Sequence, residues 1–66
     1  MNEERMLKWF AYEHLPNDLQ DISREFCVLA ESCVVRLDAG PERTVALRKL
    51  LEAKDAAVRA KLHPGG

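Results

Sequence analysis

The four residues Asp38-Ala39-Gly40-Pro41, set inside residues 17–62 (NDLQDISREFCVLAESCVVRLDAGPERTVALRKLLEAKDAAVRAKL), decide the fold. Upstream of them Leu19, Ile22, Phe26, Leu29 or Ala30, Cys33 and Leu37 recur at three- and four-residue steps, the spacing of one apolar helical face. Val28, Val34 and Val35 lie off that stripe. Pro16 discourages a helix from running through, and Asn17 followed by Gln20 has the spacing of a capping box, so this helix is predicted to start near Asp18. Gly40 ends one helix or caps the next, and Pro41 suits a first helical position, where no N–H is needed. A second helix is predicted from Pro41 to Leu62, stopped by His63-Pro64-Gly65-Gly66. Two helices of about twenty residues, each ~30 Å long, joined by so short a connection fold back as an antiparallel hairpin. The expected architecture is all-α: residues 1–16 as an N-terminal aromatic arm or short helix, 17–62 as the hairpin and 63–66 as a tail.

The second helix carries more apolar surface than one partner can cover. Ala46, Leu50, Ala53, Ala57 and Ala60 form a small-residue seam, and Leu47, Leu51, Val58 and Leu62 form a bulkier stripe beside it. A chain of 66 residues buries only ~60% of the surface its unfolded form exposes, so stabilisation from elsewhere is expected. Cys27 and Cys33 lie six apart on one predicted helix, ~9 Å from each other, too far to bridge. Together with His14 and His63 they match no zinc spacing, so neither a disulfide nor a metal is expected, and no other cofactor is. Packing of hairpins into an oligomeric helical bundle remains.

No apolar run approaches the ~20 residues that cross a bilayer, and the opening MNEERMLKW lacks the apolar stretch of a secretion signal. No membrane partner is expected, and the expected location is the cytoplasm. Residues 1–40 hold four cations against eight carboxylates, whereas residues 41–62 hold six cations against three. The net charge of −1 therefore hides a basic second helix, on which Asp55 and Arg59 have a favourable i,i+4 orientation. That helix reads either as a solvated face or as a phosphate site. For the latter Arg59 is the best candidate, because guanidinium matches phosphate oxygens bidentately.

No serine, cysteine or lysine has a recognisable activating partner and no glycine-rich phosphate loop is present, so the chain reads as a non-enzyme. The net charge and the lack of a helix-turn-helix pattern argue against DNA or RNA polymers. Trp9 and Phe10 are expected to close one end of the hairpin core. Tyr12, beside His14 in the arm, can instead offer a flat face to a nucleobase.

Phe10-Ala11-Tyr12, Leu29-Ala30 and the run PERTVALRKLLEAKDAAVRA, with its Glu42-Arg43 pair and Ala46, Leu47, Leu50, Ala53 and Ala57, resemble the hairpin domain of phage anti-CBASS and anti-Thoeris sponge proteins. The resemblance spans about residues 10–62. It implies a compact homo-oligomer, commonly a hexamer, working in the host bacterial cytoplasm. Such a protein binds a cyclic di- or trinucleotide or a cyclic ADP-ribose isomer and withholds it, uncleaved, from host effectors. It further implies that Tyr12 stacks on a base and that Arg59 contacts phosphate; His14, by its place beside Tyr12 in the arm, joins them as a candidate ligand residue. Family members that bind cyclic dinucleotides also use a lysine on the first helix; here that helix has none and Arg24 is the nearest cation. The competing reading is a small oligomeric helical interaction or regulatory protein with no nucleotide ligand.

Overall fold

The computed structural model describes residues 4–65; the first three residues of the expected arm and the last residue of the expected tail lie outside them. A 3₁₀-helix (Arg5–Phe10) precedes α1 (Asn17–Arg36) and α2 (Pro41–Leu62), and all three pack on one another. The described chain is all-helical, and α1 and α2 form the antiparallel hairpin. Of the arm or helix left open for residues 1–16, the described part holds one 3₁₀ segment and a turn, Leu15 N–H donating to the Tyr12 carbonyl at 3.0 Å.

Helix α1 begins one residue earlier than predicted, and its capping box does not form. Pro16 occupies the cap position, its carbonyl accepting from Leu19 and Gln20, and no side chain caps the helix. The Gln20 amide instead reaches backwards to the carbonyls of Leu15 (2.7 Å) and Glu13 (3.2 Å). The turn before α1 leaves those carbonyls without other partners nearby, and a glutamine one turn into the helix is long enough to reach them. Helix α2 has the predicted bounds. Thr44 supports its start, both its N–H and its hydroxyl donating to the Gly40 carbonyl.

The core is small. Phe10, Ala30 and Leu47 are fully buried, one from each element, with Leu19 nearly so. Met6 and Leu7 from the 3₁₀-helix, Phe26, Cys27, Cys33 and Val34 from α1, and Leu50 and Leu51 from α2 pack around them. Ala30, not Leu29, therefore occupies the stripe of α1, and its small side chain makes room for the Phe10 ring. Trp9 does not join Phe10 in the core and is 57% exposed. Consecutive residues of a 3₁₀-helix point about 120° apart, so turning Phe10 inward turns its neighbour out. Leu37, predicted as the last stripe residue, falls just past the end of α1 and is exposed.

Arg43 ties the three elements together. Its guanidinium donates to the carbonyls of Val34 (3.1 Å) and Leu37 (3.0 Å) and pairs with the Glu4 carboxylate (2.9 Å), the arginine side chain being 10% exposed. A helix end leaves carbonyls unsatisfied and carries partial negative charge, so a fixed cation there is doubly favourable.

Candidate functional site

The turn after the 3₁₀-helix runs over the C-terminal half of α2 and leaves an open cleft of about 500 Å³ between them. Lys8, Trp9, His14 and Leu15 line one wall; Lys54, Asp55, Val58 and Arg59 line the other. Each wall follows from local structure. The 3₁₀ geometry that buries Phe10 presents Trp9 outward, and Lys54, Val58 and Arg59 recur at helical spacing along one flank of α2.

Of the residues expected in a ligand site, His14 and Arg59 meet in this cleft. Tyr12 is half-buried in the turn behind it, and Arg24 is exposed on α1; neither lines the cleft. Arg59 also borders a second, smaller depression of about 330 Å³ with Ala56, Ala60 and His63. Among the described residues Asp55 pairs with Lys54 (3.1 Å) in place of the expected pairing with Arg59. The Lys8 ammonium lies 5.0 Å from the centre of the Trp9 ring, a cation–π distance.

Lys8, Lys54 and Arg59 thus face a single carboxylate, Asp55, in a recess walled by Trp9, Leu15 and Val58. Low-dielectric walls concentrate the field of such cations, so the recess attracts anions although the whole chain carries −1. An indole face beside a guanidinium further suits a planar ring carrying phosphate. Of the cations and the aromatic ring in this recess, the sequence points only to Arg59 as a ligand residue; Lys8, Trp9 and Lys54 are not singled out for a site. Trp9 was assigned to the core on its apolar character. Lys54 was counted with the solvated charges, although its register between Leu51 and Val58 was a signal: a lysine inside an apolar stripe lays its stem along the core and delivers its ammonium to the rim.

The cysteines play no part in the cleft. Burial pushes the Cys27 thiol above its ordinary range, and the carboxylates of Glu31 and Glu13 push it the same way. The thiolate is disfavoured there, so Cys27 is a poor nucleophile. Among the described residues no group of three or more His, Cys, Asp or Glu is arranged to hold a metal ion, and no helix is long and apolar enough to cross a membrane. No protein-family model matches the chain, and no curated protein or solved structure matches it significantly.

Proposed function

We propose that the chain is a non-catalytic sponge: a cytoplasmic homo-oligomer, hexameric by its resemblance, that binds a cyclic di- or trinucleotide or a cyclic ADP-ribose isomer and keeps it from host antiphage effectors. One observation carries the reading. Arg59 and His14, named from the sequence as ligand residues, share a cationic cleft with an exposed tryptophan. Phosphate falls to Arg59 with Lys54 and Lys8 around it. The base falls to Trp9, because Tyr12 and Arg24 lie outside the cleft.

Calorimetric titration with a panel of cyclic nucleotides tests this, followed by heating and chromatography to show that the ligand leaves intact. Arg59→Ala is expected to weaken binding by ~1.5–3 kcal/mol with the oligomer mass unchanged, and Trp9→Ala by ~1–3 kcal/mol. Tyr12→Ala is the discriminating control. If it, and not Trp9→Ala, removes binding, the base sits on the tyrosine and the cleft assignment is wrong. A wild-type protein that takes up no cyclic nucleotide leaves the helical interaction protein, a reading favoured by the apolar side of the hairpin that the N-terminal segment does not cover.

A further inference from the structure

Apart from the chain itself at Pro16, residues 4–15 are attached to the hairpin by side chains alone. Among the described residues their main-chain hydrogen bonds close within the stretch, as from Leu7 to the Glu4 carbonyl (3.1 Å), Ala11 to Lys8 (3.4 Å) and Leu15 to Tyr12 (3.0 Å). At one end the Glu4 carboxylate pairs with Arg43 (2.9 Å); at the other the Gln20 amide holds the carbonyls of Leu15 and Glu13. Between these two pins Phe10 enters the core, with Met6 and Leu7 packed around it. Lys8, Trp9, Ala11 and His14, which the stretch gives to the cleft, all lie between the pins. The cleft therefore has one wall built into α2 by main-chain bonds and one held by side-chain ties. A wall of the second kind opens at a lower free energy than the fold as a whole.

We propose that, with the cleft taken as the anion site of the reading above, Glu4 and Arg43 are its positioning residues. Their pairing sets where Lys8 and Trp9 stand opposite Lys54 and Arg59, and neither of the two lines the cleft. Arg43 lies eleven positions before Lys54 on α2, a distance of about 16 Å along the axis, so the pair acts through the stretch and not by contact with the ligand.

Three features give this tie control over the wall. The side chains of Arg43 and Glu4 are only 10% and 15% exposed, and a nearly buried charge that loses its partner is strongly disfavoured. The second Glu4 oxygen accepts from the Met6 N–H at 3.4 Å, so the same carboxylate starts the 3₁₀-helix whose register turns Phe10 inward and Trp9 outward. A slip of one residue there rotates each side chain by about 120° and takes the indole off the cleft. Arg43 also donates to the carbonyls of Val34 and Leu37, and those bonds do not involve Glu4, so releasing the stretch leaves the end of α1 capped. An anion that touches both walls binds the docked arrangement better than the released one, and by linkage it favours docking by the same factor.

Trp9 is the single tryptophan of the chain, so quenching of its emission reads the position of the wall without any nucleotide. Beside Lys8, Lys54 and Arg59 the indole is expected to be quenched about threefold more by iodide than by caesium, because the cations gather one ion and repel the other. Glu4→Ala, with helical circular dichroism retained, is expected to cut that ratio by about half, the remainder belonging to Lys8 beside the ring. Inorganic pyrophosphate competes for the same cations, and the concentration that protects Trp9 from iodide is expected to rise about tenfold in Glu4→Ala. Exchange of the Leu7 amide separates release from lost charge. It is expected to quicken about tenfold in Glu4→Ala and to stay as in the wild type in the double variant Lys54→Gln with Arg59→Gln, which also loses the iodide preference. Glu4→Gln keeps an acceptor oxygen without the charge and is expected to shift both readings in the same direction, so it decides the matter if Glu4→Ala unfolds. A variant of Glu4 that melts earlier yet keeps the wild-type quenching ratio overturns the proposal and spares the cleft. A wild type quenched equally by both ions overturns the cationic cleft and the proposal with it. A wild type that takes up no cyclic nucleotide, but whose iodide preference falls in Glu4→Ala, retires the nucleotide and keeps the tie.

Discussion

At Arg43 one side chain performs three tasks that the sequence presents as a single surface charge. Its guanidinium closes the carbonyl end of α1, holds the first described residue, Glu4, and fixes the start of α2 against both. Because the group is almost fully buried, truncation leaves two helix-end carbonyls and a carboxylate without their donor. Charge-assisted bonds in such a setting are worth ~1.5–3 kcal/mol each, and they are not additive. Arg43→Ala is accordingly expected to cost about 3 kcal/mol, read as a fall in the urea midpoint. Arg43→Lys is expected to recover less than half of that, since an ammonium cannot span three acceptors in the plane of the guanidinium. A midpoint unchanged by Arg43→Ala would remove the tie. The Glu42-Arg43 pair was visible in the sequence as a motif, but its role was not, because the acceptors are main-chain atoms and a carboxylate 39 residues away.

Among the elements, the two long helices were legible and the first sixteen residues were not, for a physical reason. Ranges of about twenty residues with apolar steps of three and four, bounded by Pro16, Gly40-Pro41 and His63-Pro64, carry their own start and stop signals. Six residues make only two turns of 3₁₀-helix, too few for a period to show, so what fixes Arg5–Phe10 is the burial of Phe10 between Ala30 and Leu47. The candidate cleft divides the same way: guanidinium chemistry draws attention to Arg59 in the sequence, whereas the place of Trp9 opposite it depends on the register of that short segment.

The junction between the helices tests how much of this is local. Gly40 caps α2 in an extended conformation that any residue adopts (φ 168°), and a Cβ placed there meets nothing within 4 Å. Glycine is therefore not required. Gly40→Ser supplies a hydroxyl to the free N–H groups of the first turn of α2 and removes freedom from the unfolded chain. It is expected to raise stability by about 0.5–1 kcal/mol, measured by thermal melting. A loss of that size would mean that the turn needs glycine's wider range of conformations.

For the molecule as a whole, the core formed by Phe10, Leu19, Ala30 and Leu47 is slight for the length, while Leu29, Val45 and Leu62 remain more than two-fifths exposed. The proposed homo-oligomer would draw stability from association, and association leaves a thermodynamic trace that mass alone does not. When only the assembled state is folded, the melting temperature depends on protein concentration by mass action. A hundredfold rise in concentration favours a dimer by ~2.7 kcal/mol, and an unfolding entropy of ~2.1 cal/mol/K per residue over two chains converts this into a rise of roughly 10 °C. Melting scans of the ligand-free protein across that range are expected to show such a shift. Ala53→Glu is expected to abolish it and to melt lower at every concentration, because the charge prevents the burial on which the slope depends. A melting temperature independent of concentration in the wild type would mean that one hairpin with its 3₁₀ cover is stable alone.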